Sequence, residues 1–342
     1  MAKQTTRRVW NINFVGNLPK YLMLSGIILV AGIVANLIFG TVLSIDFSGG
    51  TQIDYTYVGE INATQLENDI EASTGLNVTV VTGKQFTSAG DTAEQGETKK
   101  ISVTLVEKGA VSLEAQSKIE SVLAEKYAEN QAHLLQASSV DASVGAEFLG
   151  KSVYAVGLAS VLVILYIGIR FRKIGGLSAG VTAMIALIHD IFVAYFICIF
   201  FRLPIDDNFM AVVLTILGYS LNDTIIIYDR IRENERLYGK SKPIGELVNL
   251  SVNQTLGRTL VTAFATFIAI TTVLVVALIF GLDSIMSFAL PMSIGVISGS
   301  YSTICLASPI WVKWQEYKER KGPKSKDSKS GGKTKSRKAV IN

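Results

Sequence analysis

The stretch FMAVVLTILGYSLNDTIIIY, running from Phe209 to Tyr228, decides the architecture. It is apolar apart from a short polar group around Asp223. As a helix it is long enough to cross a bilayer core, which takes about 20 residues. Working outward, comparable runs lie at about 21–41, 152–169, 176–200, 258–280 and 284–311. Together they predict six transmembrane helices.

Composition agrees. Of 342 residues, 49% are hydrophobic and 18% charged, against about 25% charged in an ordinary soluble chain. Mean hydropathy is positive, at +0.39, which points to a lipid-facing surface. The first run follows Lys3, Arg7 and Arg8, as a signal peptide would. Its apolar stretch exceeds the roughly 7–15 residues of a signal core, and further spans follow, so it reads as a membrane anchor. Cys198 and Cys305 sit inside apolar runs without metal-like spacing, and His133 and His189 lie far apart. No metal site, cofactor or disulfide framework is expected.

Orientation follows from where Lys and Arg collect. Arg7, Arg8 and Lys20 precede the first span; Arg170, Arg172 and Lys173 follow the second; Arg230, Arg232, Arg236, Lys240 and Lys242 follow the fourth. From Val312 onward there are eleven basic and three acidic residues. Alternating spans put all four segments on one side, expected to be the cytoplasm. From Asp46 to Glu147 the bias reverses, with sixteen acidic and six basic residues. The net charge of +4 therefore hides a polarised molecule. The expected organisation is a cytoplasmic arm (1–20), a first span (21–41), an extracytoplasmic domain (45–148), spans two to six (152–311) and a basic, disordered tail (312–342).

Within the outer domain, strands are expected at Thr51–Val58, Asn77–Thr82, Lys100–Val106 and His133–Ser138. Helices are expected at Ala63–Ser73 and Ser112–Tyr127, the latter capped by Ser112, with a loop over Gly83–Thr98. That order, β-α-β-β-α-β, is the pattern of an α+β ferredoxin-like domain. No nucleophile, metal cluster or phosphate loop occurs in it, which favours docking over catalysis. Asp46-Phe47-Ser48-Gly49-Gly50-Thr51 links it to the first span. It reads either as a turn needing positive φ or as a hinge formed by Asp46, Phe47, Gly49 and Gly50.

The sharpest functional signal is charge within the spans, because an ionisable side chain costs about 2.5–3.5 kcal/mol near a helix centre. Asp190 in span three and Asp223 in span four stand clear of the span ends. Asp223 lies in the patch Tyr219, Ser220, Asn222, Thr224, which is expected to face the bundle interior. On span five Thr255, Arg258, Thr259, Thr262 and Thr266 form a polar stripe within reach of it across the hairpin. Two readings stand for Asp223 with Arg258: a proton relay or an ion pair that fixes helix register. For Arg258 snorkelling to the interface is a third. Asp190, beside His189, is either part of the relay or a bond to a neighbouring helix. Arg202, Asp206 and Asp207 fall in a short outer loop and are expected to be solvated. Gly176-x-x-x-Gly180 and Gly295-x-x-x-Gly299 allow close helix approach. Gly239-Lys240-Ser241 ends like a phosphate loop but has Asn234 where the glycine is needed. No enzyme motif is present.

At these residues the chain resembles the SecF family, smaller relatives of the resistance-nodulation-division (RND) transporters. The carriers are Asp46-Phe47-Ser48-Gly49-Gly50-Thr51, Gly218-Tyr219-Ser220-Leu221-Asn222-Asp223-Thr224, Tyr228-Asp229-Arg230-Ile231-Arg232-Glu233-Asn234 and Asn253-Gln254-Thr255-Leu256-Gly257-Arg258-Thr259. The likeness spans about residues 10–315. It implies a six-helix bundle that is half of an RND-type transporter, paired with SecD. It further implies work with the SecYEG channel, the SecA motor, membrane lipid and the translocating polypeptide, driven by the proton gradient, and no nucleic acid. Asp223 and Arg258 fall on family positions linked to proton transport, and Asp190 also resembles a family position. The acidic stretch Asp91–Glu97 reads as an insertion. Met1 followed by the basic arm leads us to expect no SecD fused upstream. An independent lipid or drug exporter and a non-coupling scaffold of the channel are the competing readings.

Overall fold

The computed structural model describes residues 10–84, 99–105, 113–280 and 282–321. The expected loop around Asp91–Glu97, the Ser112 cap, the start of the N-terminal arm and most of the basic tail lie outside them.

Helix α1 (Leu18–Phe39) leads through a one-turn helix α2 (Ile45–Ser48) into strand β1 (Gly50–Tyr57). Then come α3 (Ala63–Thr74), β2 (Val78–Lys84), β3 (Lys99–Leu105), α4 (Leu113–Lys126) and β4 (His133–Val140). The strands form one antiparallel sheet in the order β2-β3-β1-β4. Alternation does the folding here, since successive strand residues point to opposite faces. Ile53, Tyr55 and Tyr57 of β1 lie with Ile101, Val103 and Leu105 of β3 on the face covered by Leu66 and Ile70 of α3 and Ile119 and Leu123 of α4, all nearly solvent-free. Removing one such large side chain costs about 2–5 kcal/mol.

The opposite face is polar. Asp54 is fully buried there, paired with Lys100 at 3.2 Å and taking hydrogen bonds from Gln52 (3.0 Å) and Gln136 (2.9 Å). Burial alone would raise the pKa of this carboxyl. Hydrogen bonds from Gln52 and Ser102, the Lys100 charge and Gln136 outweigh it and hold the group below its ordinary value. A cavity of about 390 Å³ separates this face from the adjoining end of the helical bundle, where Arg202, Asp206 and Ser287 lie.

The bundle continues with α5 (Ala142–Arg170), α6 (Gly176–Phe200), α7 (Asp207–Tyr238), α8 (Ile244–Phe280) and α9 (Asp283–Ser302). A π turn over Thr303–Ala307 joins α9 to α10 (Ser308–Lys321) in one rod. With α1, six helices among the described residues are long and apolar enough to cross a membrane. They divide into two classes. The most apolar windows of α6, α7 and the α9–α10 rod are 56%, 44% and 78% buried within the protein, against 11% or less for α1, α5 and α8. The outer three present large apolar side chains outward (Leu37, Ile169, Val261 and Phe264 among them), a surface suited to lipid.

Several helices outrun their expected spans. Helix α5 starts at Ala142, ten residues early, because the Asp141 side chain accepts the Ser143 amide as an N-cap. Helix α7 runs on to Tyr238 through a charged turn stitched by Arg232–Asp229 and Arg230–Glu233 pairs. Helix α8 begins at Ile244 because Leu247, Val248 and Val252 bury against the lower core with Tyr228, Ile231 and Trp311. Hydropathy finds the lipid-spanning part of a helix, not its end.

The link between membrane and sheet is a tight corner. Gly49 (φ +70°) and Gly50 (φ +122°) adopt positive φ. A Cβ on Gly49 would stand 2.3 Å from the Ala142 backbone, so the corner also needs glycine for close approach to α5. An extended bridge, Leu43 to Ile205, ties the same corner to the loop between α6 and α7. In that loop Asp206 is buried rather than solvated. It caps α7 at the Phe209 amide (2.9 Å) and accepts from Ser287 of α9 (3.0 Å).

Candidate functional site

The two intramembrane acids both end up in the bundle core, on inner helices, and are fully buried. Their surroundings differ sharply.

Asp190 of α6 is saturated with donors. Ser298 and Ser302 of α9 donate to it at 2.6 Å each, Ser220 of α7 at 3.2 Å, and the His189 ring nitrogen Nδ1 lies 3.2 Å away. A carboxylate has about four acceptor sites, and here all are used. The cage continues from Ser220 to Thr303 (3.2 Å) and on to Thr224 (3.4 Å). Close approach makes this possible: a Cβ on Gly299 would lie 3.3 Å from the Ser220 Cβ, and one on Gly295 would overlap Ile216. The Gly295-x-x-x-Gly299 spacing therefore seats α9 against α7.

Asp223 of α7, one face away, receives no hydrogen bond of ordinary geometry on either oxygen, although the Ser300 hydroxyl of α9 stands close to it. The Tyr219 and Ser300 hydroxyls beside it are likewise buried without a hydrogen bond of ordinary geometry, and so, on α8, is that of Thr259. Ser300 of α9 lies beside both Tyr219 and Asp223. Leaving a buried polar group unpaired costs about 1–3 kcal/mol, more for a charged one.

Sequence reasoning and structure part company over the partners. No ion pair joins Arg258 to Asp223, and Arg258 is exposed. Asn222 is exposed too and turns away from the acid, whereas Tyr219, Ser220 and Thr224 turn inward. On α8, Thr262 donates to the Arg258 carbonyl (2.9 Å) and Thr266 to that of Thr262 (3.0 Å). Asp46 is held by the Ser44 hydroxyl at 2.8 Å, and Phe47 and Gly49 pack against the start of α5. The residues missed are Ser298, Ser300 and Ser302 of α9 and Thr303 of the π turn. Their signal was available, since Ser293 to Thr303 carries five hydroxyl residues besides Tyr301 in an otherwise apolar span.

The remaining motif residues fasten the opposite end. Gln254 accepts from Arg230 (2.6 Å) and Asn234 (2.9 Å), tying the α7–α8 hairpin. Asn253 holds the Ile12 backbone at both its amide (3.0 Å) and its carbonyl (2.8 Å).

Residues 118–317 match the family model described as protein export membrane protein SecD/SecF, C-terminal. The chain is 35% identical to the protein translocase subunit SecF of Alicyclobacillus acidocaldarius over 88% of this chain and 92% of that one. It is 32% identical to the SecDF subunit of Bacillus subtilis over 89% of this chain, but it spans only 38% of that relative's length. The crystal structure of SecDF from Thermus thermophilus, a translocon-associated membrane protein, superposes with a TM-score of 0.71 at 28% identity, covering 90% of this chain and 39% of that one. The chain is thus a multi-pass membrane protein that belongs to the SecD/SecF family of protein-export membrane proteins.

Proposed function

We propose that this chain is an accessory subunit of the Sec translocase that, with a SecD partner, uses the proton gradient to promote polypeptide export. The observation that carries the coupling is the buried, unpartnered carboxylate of Asp223. An acid whose lone pairs are filled by fixed donors is committed to one state. An acid with none filled leaves its proton occupancy open to whatever approaches. Arg258 acts on it through space rather than by contact, and the membrane potential supplies about 2.3 kcal/mol per charge per 100 mV. A register-fixing ion pair, the scaffold reading, has less support because the two side chains do not meet.

The six spans are half of an RND-type transporter. SecD is the partner because relatives exist in which both halves share one chain, and the SecYEG channel, SecA and the exported polypeptide follow from the same role. We place both termini in the cytoplasm, since Arg170, Arg172, Arg230, Arg232 and Arg236 gather at the end away from the sheet. The outer domain is ferredoxin-like, a reading supported by the strand order β2-β3-β1-β4 with two helices on one face. It docks polypeptide or partner and catalyses nothing. The Gly49–Gly50 corner is the hinge through which the bundle moves it.

The test is export in inverted vesicles carrying Asp223→Asn beside its partners, with and without a proton gradient. The gradient-dependent fraction of export is expected to vanish. Full retention of the gradient response refutes the relay.

A further inference from the structure

Helix α9 touches both acids. On one side Ser298 and Ser302, four residues apart and therefore on one face, donate to Asp190 at 2.6 Å each. Between them in sequence Ser300 points the other way, since two residues turn a helix by about 200°, and lies beside Tyr219 and Asp223. The glycines at 295 and 299 leave α9 seated on α7 without intervening side chains. Immediately after Ser302 the rod breaks α-helical spacing in the π turn Thr303–Ala307, whose first residue bonds Ser220 and whose carbonyl accepts from Ser308 (3.2 Å). A π turn holds one extra residue; closing it into α-helix shifts the flanking segment by about 1.5 Å and turns it by about 100°.

We propose that α9 is the coupling element between the two acids, and that Asp190 is the positioning residue that sets its register against the Asp223 site. This rests on the reading of Asp223 as the group that changes protonation. Ionised Asp190 accepts from both serines at once. That pair of bonds is what seats α9; where one of them is lost the serines no longer hold the register and the π turn gives the rod a second one. Ser300 then moves relative to Asp223. Linkage is reciprocal, so a change at Asp223 must act back on Asp190. The other titratable or charged groups facing the pair are His189 on α6, Tyr219 on α7, Arg258 on α8, Tyr301 on α9, Cys305 in the π turn and Tyr21 on α1.

The experiment is an infrared pH titration of the full chain in lipid nanodiscs. The protonated-carboxyl band missing from Asp223→Asn identifies Asp223. Ser302→Ala and Ser298→Ala change no charge, yet each is expected to move the Asp223 midpoint by about half a pH unit or more, roughly a threefold change in proton affinity. Ser302→Thr, which keeps the donor, is expected to restore it. Ser293→Ala, whose hydroxyl bonds only within its own helix, is expected to leave it unmoved. An Asp223 band that titrates identically in both alanine variants overturns the coupling while leaving Asp223 as the relay. No titrating band lost in Asp223→Asn overturns both.

Discussion

Replacing Asp54 by alanine is the most quantitative test of how the outer domain holds together. The carboxylate is fully buried, paired with Lys100 at 3.2 Å and bonded by Gln52 and Gln136. Breaking a buried pair from one side costs about 3–5 kcal/mol. The Lys100 side chain keeps 19% exposure, so the low end applies, about 3 kcal/mol, or about a hundredfold in the opening equilibrium of β1 and β3. Hydrogen exchange of the full chain in nanodiscs, followed in peptides covering those strands, reads that factor directly. The pH dependence has a definite sign. Asp54 titrates below its ordinary value when folded, so its stabilisation is complete above the unfolded pKa of about 3.9 and is lost as pH falls through the folded value. The ratio of variant to wild-type exchange is therefore expected to be flat from neutral pH down to about 5 and to shrink toward unity in stronger acid. A neutral-pH ratio below about threefold, or one indifferent to acid, refutes the reasoning.

Other outcomes follow from the same contacts. Gly295→Ala forces a Cβ onto Ile216 whereas Gly299→Ala meets Ser220 at 3.3 Å. Overpacking costs about 1–3 kcal/mol, so the first is expected to lower the unfolding midpoint in nanodiscs more than the second. Asn253→Ala removes both hydrogen bonds to Ile12; at about 1 kcal/mol each, exchange over residues 10–16 is expected to rise about tenfold or more, with α9 unaffected. Arg258→Ala, lacking any ion pair to break, is expected to leave unfolding within about 0.5 kcal/mol of wild type while reducing the gradient-driven fraction of export. A large loss of stability there would favour the register-pair reading.

What could be read from the residues followed from signals that are local. Six apolar runs, the alternation of Ile53, Tyr55 and Tyr57, and the inward turn of Tyr219, Ser220 and Thr224 all depend on spacing within one element. Each element falls within a few residues of its expected position wherever the boundary is set by lipid. Boundaries set by packing were not legible. Nothing in the sequence near Ile244 says that Val248 and Val252 will bury against Tyr228 and Trp311. The same limit explains the misreading at the site. Arg258 looks close to Asp223 on a flat hairpin, but helix rotation carries it to the surface. For Asp190 a bond to a neighbouring helix was one of the two expectations, and three of its four donors do come from other helices, which no spacing within α6 could name.

That last point sets the logic of the core. Two acids of equal depth and equal intrinsic cost sit on adjacent inner helices, and the protein treats them oppositely. Around Asp190 it spends four donors from three helices, which fixes α6, α7 and α9 relative to one another. Around Asp223 it leaves two carboxylate oxygens and three hydroxyls unmatched, although Ser300 is near enough that a small turn of α9 changes what the acid meets. A bundle evolved only for rigidity has no reason to retain the second arrangement, because an apolar side chain there removes the penalty. Placing the saturated acid next to the unsaturated one, with a single helix between them, gives the core a fixed reference and a movable group. That combination is what the proposed coupling of a proton's passage to movement of the outer domain would require.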